Sequence, residues 1–230
     1  MSDHFALTLP GARVTFSTRR GGVSEGPFES LNLGLSTEDE PERVMENRRR
    51  LTDDTGVCHM ALGRQVHGTE LEMWTAPPAG DPPEVDGHLT GARGLGLMVQ
   101  VADCLPVALA GPEQVAMLHC GWRGLAGGIA GRALEHFDEP PAAAIGPGIG
   151  RCCYEVGDEV LAAFSHHEGV AERRMLDLRG VARGELEAGG VTEVLEVDLC
   201  TSCHPQLFFS HRRDEGVTGR QAGVIVRDGS

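Results

Sequence analysis

Residues 94–124 read GLGLMVQVADCLPVALAGPEQVAMLHCGWRG. Three apolar runs, 95–102, 105–110 and 115–119, each have the length of a strand. Gly121 follows the third run, and a glycine-containing helical stretch is predicted over about 122–137. Segment 142–145 reads as a further strand that enters the turn GPG at 146–148. Upstream, 12–18 (ARVTFST) reads as a strand closed by a glycine turn at 21–22. Pro41, placed after Glu38, Asp39 and Glu40, marks the start of a helix over 41–53. Short strands at 62–66 and 70–75 flank His67 and Gly68, and a loop rich in Pro, Gly and Asp fills 76–87. Downstream, helices are expected at 156–164 and 178–189, and strands at 194–198 and 220–226. Strands and helices interleave, but the hairpin signals rule out pure βαβ winding. The expected class is therefore α+β, a mixed α/β sandwich of mixed β-sheets flanked by helices, in one domain over 1–230.

The chain has 230 residues, of which 40% are hydrophobic and only 4% aromatic, so its core must rest on Leu, Val, Ala and Ile. It contains no lysine; all 20 basic residues are arginine. That excludes a Schiff-base lysine and a Walker A loop. Any phosphate must then be held by arginine, backbone amides or a metal. A net charge of −14 argues against nucleic acid as a partner. No run reaches about 18 apolar residues, so no membrane partner is expected. The first residues have no basic stretch followed by an apolar run, which points to a cytoplasmic location. Seven cysteines, an odd number, suit reduced thiols and metal ligation better than a disulfide framework.

Three residues stand in settings suited to chemistry: His67 in QVHG (65–68), Cys104 in VADCLP (101–106) and His119 in LHCGWRG (118–124). Two imidazoles and a thiolate suit zinc, and three protein ligands leave an open fourth position. Spacing alone leaves a second reading open, three unrelated core or turn residues, because dispersed ligands lack the short spacing of readable zinc sites. Copper is a further alternative, with Met98 or Met117 as an axial ligand. A true laccase also needs His-x-His pairs for its trinuclear cluster, and the ten histidines include none. Arg48, beside Asn47 on the 41–53 helix, Arg123, just past His119, and Arg212, which with Arg213 precedes Asp214, are the candidate phosphate ligands. Asp103, beside Cys104, is the candidate carboxylate for proton transfer.

Cys200-Thr-Ser-Cys203-His204 reproduces the C-x-x-C-H haem-attachment pattern. Without an export signal, a structural role is the default for it. Cys152 and Cys153 are adjacent and poorly placed to bridge one another. A cytidine-deaminase type of zinc site is not formed around His67, which is followed by Gly-Thr-Glu, and the C-x-x-C is preceded by leucine instead of proline.

Ordered blocks along the chain resemble the YfiH family of laccase-domain, or polyphenol-oxidase, proteins. They are FSTRRGGVSEGPFESLNLG (16–34), ENRRRL (46–51), QVHG (65–68), DG (86–87), ADCLP (102–106), HCGWRG (119–124), AIGPGIGRCCYEVGDEV (144–160), DL (177–178), DLCTSC (198–203) and FFSHRRD with TGRQAG (208–223). The resemblance implies a mixed sandwich with outer helices, similar to a fold shared with a toxin deamidase. It implies zinc at His67, Cys104 and His119, and phosphorolysis of adenosine, inosine and S-methyl-5'-thioadenosine, with inorganic phosphate as co-substrate and adenosine deaminase activity besides. Bacterial members are also linked to the removal of wrongly charged peptidoglycan precursors. Arg48 and Arg123 fall within matching blocks. Three residues depart from the family pattern: Cys120 where a small residue is usual, and His204 and His211 where arginine and tyrosine are more familiar. Cys120 is thus a possible competitor for the metal, and His211 a possible influence on substrate choice. Two other reaction classes remain as alternatives: a cysteine hydrolase of an amide or peptidoglycan-precursor substrate, with Cys104 as nucleophile and His119 as base, and a copper-dependent polyphenol oxidase. A non-catalytic partner protein is the third. The oligomeric state is not legible.

Overall fold

The three apolar runs fold as strands Leu95–Val101, Leu105–Ala110 and Val115–Cys120. Nearly every residue in them is buried, which is why their sequence is continuously apolar instead of alternating. The computed structural model describes residues 4–228. Its strands are β1 (Phe5–Leu9), β2 (Ala12–Phe16), β3 (His59–Ala61), β4 (Leu71–Met73), β5 (Gly87–Thr90), β6 (Leu95–Val101), β7 (Leu105–Ala110), β8 (Val115–Cys120), β9 (Ala142–Ile145), β10 (Ala171–Glu172), β11 (Met175–Leu176), β12 (Val194–Glu196) and β13 (Gln221–Arg227). Its helices are α1 (Pro41–Thr55), α2 (Trp122–Ala126), α3 (Ile129–Leu134), α4 (Asp158–Ala163) and α5 (Leu178–Ala188).

One sheet runs β1-β2-β13-β6-β3, antiparallel except for the β3–β6 pair. The other runs β12-β9-β7-β8-β5-β4, antiparallel in the middle, with the parallel pairs β12–β9 and β4–β5 at its edges. The period-two geometry of a strand sorts side chains between layers. On β7, Leu105, Val107 and Leu109 pack under the helices, while Ala108 and Ala110 pack between the sheets. On β6, Leu97 and Val99 face the space between the sheets, and Met98 faces outward to Leu51 of α1. The layers are therefore α1, sheet, sheet, and α2 to α5, which is the mixed sandwich with outer helices expected from the sequence.

Helix α1 has Pro41 in its first turn and ends on Gly56, whose φ of 66° places it in the left-handed region that glycine tolerates. Its buried face, Val44, Asn47, Leu51 and Thr55, follows helical spacing. The polar member of that face, Asn47, accepts from Val23 N and donates to Ser24 Oγ, Ser30 O and Asn32 O, and so ties down the loop after β2.

Several boundaries differ from expectation. The helix expected over 122–137 is broken into α2 and α3 at Gly127 and Gly128, the latter with φ of 84°. The strand expected at 62–66 lies earlier, as β3, and Arg64 keeps a single bridge to Glu84. Strand β5 begins where a loop was expected, because it buries polar His88 and Thr90 and lacks an apolar signature. Among the described residues no helix is long and apolar enough to cross a membrane.

Glu185 of α5 carries a cost that pH reveals. Its Oε2 is buried without a hydrogen-bond partner, and Oε1 is 3.8 Å from His167 Nε2. Burial pushes its carboxyl up to about 7. Two titratable groups face it, the Cys120 thiol and His167, and burial holds His167 below the usual imidazole value. A raised carboxyl pKa favours the neutral acid in the folded state. Its contribution is therefore greatest below the unfolded value of 4.5 and is lost as pH rises toward about 7. Glu185→Gln is expected to raise Tm at pH 8 by about 2–4 °C, as about 1 kcal/mol does for a chain of this size, with little change at pH 4. An equal change at both pH values in thermal melts contradicts this account.

Candidate metal centre

The β7–β8 hairpin builds half of the centre. Its register pairs Leu105 with Cys120 and Pro106 with His119, so Cys104, just before β7, lies beside the end of β8. Strand alternation turns His119 away from the helices and turns Cys120 into the helix-side core. The Cys120 thiol is fully buried there, its pKa far above the usual value through desolvation. It is thus directed away from the metal residues with which it was expected to compete. The other half is the loop between β3 and β4, which carries His67. Asp86, the residue before β5, joins the halves, since its carbonyl accepts from His119 N at 2.7 Å.

One ligand atom each of His67, Cys104 and His119 lies within 4.8 Å of the others. The two imidazoles meet edge to face, with centroids 4.8 Å apart. The buried Asp86 carboxylate organises both. Its Oδ1 is 2.7 Å from His119 Nδ1 and accepts from His67 N at 3.0 Å, and its Oδ2 accepts from Val66 N at 3.0 Å and Gly68 N at 2.7 Å. These bonds hold His67 at φ 61°, in the left-handed region that non-glycine residues rarely occupy. Asp103, at φ 88°, is held in a similar way: Oδ1 accepts from Thr201 Oγ1 at 2.6 Å and Oδ2 from Arg212 N at 2.7 Å. Gly121 leaves space between the Cys104 and His67 side chains, because a Cβ there would lie 3.0 Å from Cys104 Sγ and 3.1 Å from His67 Cδ2.

Burial opposes ionisation of Cys104, yet His119 and His67 bring its thiol down to about 6. Burial likewise opposes a charged His119, but Cys104 and Asp86 raise it to about 9. Two nitrogens around an ionisable sulfur, one imidazole fixed through its far nitrogen by a carboxylate, match the donor set and outer-shell support of a zinc site.

The wall beside Cys104 contains Tyr154, Arg212 and Arg123. Burial first, then the charge of Cys104, pushes the Tyr154 phenol up to about 12, and Arg212 and Arg123 oppose that rise. The Arg212 guanidinium lies 5.3 Å from the centroid of the Tyr154 ring and donates to Glu155 O. Arg123 is exposed and stacks on Trp122 at 4.4 Å. Arg220 also belongs here: burial lowers its pKa, while Cys104 and Asp103 raise it. Arg48 is linked to Arg220 through Leu33, whose N–H donates to Arg220 O. It lies against the 33–34 segment, donates from Nε to Leu33 O, and is lowered to about 10 by burial. His211 is exposed near Gly216, and His204 Nδ1 lies 2.9 Å from Cys200 O. Asp86, Gly121, Tyr154 and Arg220 were not singled out from sequence. Their only signal there was membership of the blocks DG, HCGWRG, CCYEV and TGRQAG.

Residues 13–228 match the family described as multi-copper polyphenol oxidoreductase laccase. The chain is 37% identical over 257 residues to purine nucleoside phosphorylase YlmD of Geobacillus stearothermophilus, covering 96% of this chain and 92% of that protein. It is 36% identical over 230 residues to purine nucleoside phosphorylase YfiH of Escherichia coli, covering 94% and 93% of the two chains. The crystal structure of a Neisseria meningitidis protein superposes with a TM-score of 0.91 at 33% identity, over 99% of this chain and 100% of that one.

Proposed function

The chain belongs to the family described as multi-copper polyphenol oxidoreductase laccase, and we propose that it acts as a zinc-dependent purine nucleoside phosphorylase. In this reading its substrates are adenosine, inosine and S-methyl-5'-thioadenosine, with inorganic phosphate as co-substrate, and it deaminates adenosine as a second activity. The observation that carries the proposal is the convergence of His67, Cys104 and His119 on one point, oriented by Asp86. The name purine nucleoside phosphorylase, borne by relatives that match over most of their length, supplies the reaction class. Among the described residues no histidine-rich group accompanies this centre, and the family description alone speaks for a copper oxidase. The proposal includes a cytoplasmic location and no nucleic-acid or membrane partner, in keeping with the acidic net charge of −14.

Zinc, when held by His67, Cys104 and His119, supplies a Lewis acid at the centre. Asp86 fixes the His119 tautomer and leaves Nε2 as the donor. Tyr154 stays protonated at neutral pH and offers a hydrogen-bond donor beside Cys104. Arg123 and Arg212 supply guanidinium groups for phosphate, whose oxygens favour the bidentate fork. Both oxygens of Asp103 are engaged by Thr201 and Arg212 N, which favours a positioning role for it over the proton shuttle expected from sequence. Arg48, whose Nε donates to Leu33 O, is the third arginine of the phosphate reading.

Chromatography of adenosine incubated with zinc-loaded protein tests the reading. Adenine is expected to form only when phosphate is present, together with ribose 1-phosphate. Free purine base formed at the same rate without phosphate, or no base formed at all, rejects phosphorolysis, whereas phosphate-independent conversion of adenosine to inosine reports the deaminase activity.

A second reading, a cysteine hydrolase, has its own observation. Cys104, His119 and Asp86 line up as nucleophile, base and orienting carboxylate, with the thiol near 6. It requires a metal-free sulfur, so protein with no zinc at this centre and rapid alkylation of Cys104 would favour it, and a full equivalent of zinc there counts against it.

A further inference from the structure

A second cysteine cluster lies behind the wall that carries Tyr154. Strands β9 and β12 pair in parallel, and the bridge between Gly148 and Cys200 continues that pairing. The segments leaving the two strands must therefore run side by side, which brings Cys152 and Cys153 against Cys200 and Cys203. All four sulfurs lie within 4.8 Å of one another, with Cys203 Sγ 3.5 Å from Cys152 Sγ and 3.4 Å from Cys153 Sγ. Four thiolates around zinc at about 2.3 Å make a tetrahedron with edges of about 3.8 Å. The cluster already has that size.

The local backbone is shaped for it. Gly150 N donates to Cys200 Sγ at 3.2 Å, and the backbone N–H of Cys203 bonds the same sulfur. A Cβ on Gly150 would lie 3.1 Å from Cys200 Cβ and 3.3 Å from Cys152 Sγ, so only glycine allows the two turns to approach this closely. Arg212 Nη1 and Arg213 Nη1 donate to the carbonyls of Cys153 and Thr201, placing two positive charges on the same turns. Four crowded thiols cannot ionise together without a cation. Burial and their mutual contacts raise Cys152, contact with Cys153 raises Cys203, and Cys200 is lowered despite burial by the two backbone donors.

We propose that Cys152, Cys153, Cys200 and Cys203 bind a second, structural zinc ion through four thiolates, with no open coordination position. Binding releases the thiol protons to solvent and forms four Zn–S bonds, with no change of oxidation state. The ion staples the turn carrying Tyr154 to the turn carrying Thr201, whose hydroxyl holds Asp103 next to Cys104. The site is independent of the reaction proposed for His67, Cys104 and His119.

Zinc content of reductant-purified protein, with X-ray absorption at the zinc edge, tests the site. Wild type is expected to carry two zinc ions per chain. His67→Ala and the double variant Cys200→Ser/Cys203→Ser are each expected to carry one. The zinc left in His67→Ala is expected to show only sulfur neighbours, at about 2.3 Å. That measurement does not depend on the folding of the cysteine variant. Three results overturn the proposal: a single zinc in wild type that His67→Ala removes, nitrogen or oxygen ligands on the zinc left in His67→Ala, or a disulfide joining Cys203 to Cys152 or Cys153 in the reductant-purified protein.

Discussion

Cys104→Ala is expected to lower kcat/KM for the nucleoside about 10³-fold, because a metal's several kcal/mol of transition-state stabilisation converts at about 1.4 kcal/mol per factor of ten. It should also reduce zinc content by one equivalent per chain. The sulfur is the only anionic donor among the three ligand side chains, and both imidazoles converge on it. Two neutral imidazoles alone form a much weaker site. Cys104→Ser should behave almost as badly, since a serine hydroxyl remains protonated where the thiol ionises near 6. The fold should survive both changes: Cys104 is half-buried ahead of β7, outside the large apolar side chains that fill the core. Unchanged zinc content with lost turnover in Cys104→Ser separates the rivals, because it shows a nucleophile and no ligand. Unchanged kcat/KM in either variant refutes both readings.

The sandwich was legible from sequence where burial leaves a periodic trace. The 95–119 runs became β6, β7 and β8, and the 41–53 and 178–189 helices became α1 and α5 with small changes at their ends. The trace failed where polar residues are buried or glycines break a helix, as in β5 and between α2 and α3. The same contrast holds in the centre. His119 and Cys104 are close because a hairpin register places them so; two adjacent apolar runs mark the strands, but runs apolar throughout do not encode the register. His67 arrives from a loop held at φ 61° by a carboxylate 19 residues further on, and no local pattern encodes that. The four-cysteine cluster was hidden for a related reason. Its two pairs lie about 50 residues apart, and only the parallel pairing of β9 with β12 brings them together.

Asp86→Asn is expected to weaken zinc binding at the His67–Cys104–His119 centre 10–100-fold, the usual cost of losing an outer-shell carboxylate, with a comparable loss in kcat/KM. The reason is geometric as well as electrostatic. Both carboxylate oxygens accept: Oδ1 takes His67 N and His119 Nδ1, and Oδ2 takes Val66 N and Gly68 N. An amide can replace only one of them as an acceptor. If its NH2 takes the Oδ2 position, it faces two backbone donors, and the loop that holds His67 at φ 61° loses its anchor. If it takes the Oδ1 position, it faces His67 N and forces His119 Nδ1 to become an acceptor, which protonates the nitrogen that must ligate. Each arrangement leaves a donor unsatisfied at about 1–3 kcal/mol, enough to lower Tm by several degrees. Zinc affinity by chelator competition and Tm of the metal-free protein separate the two effects. A lower Tm with unchanged zinc affinity would show that Asp86 braces the loop without orienting His119, and would remove the main structural support for a preorganised metal centre.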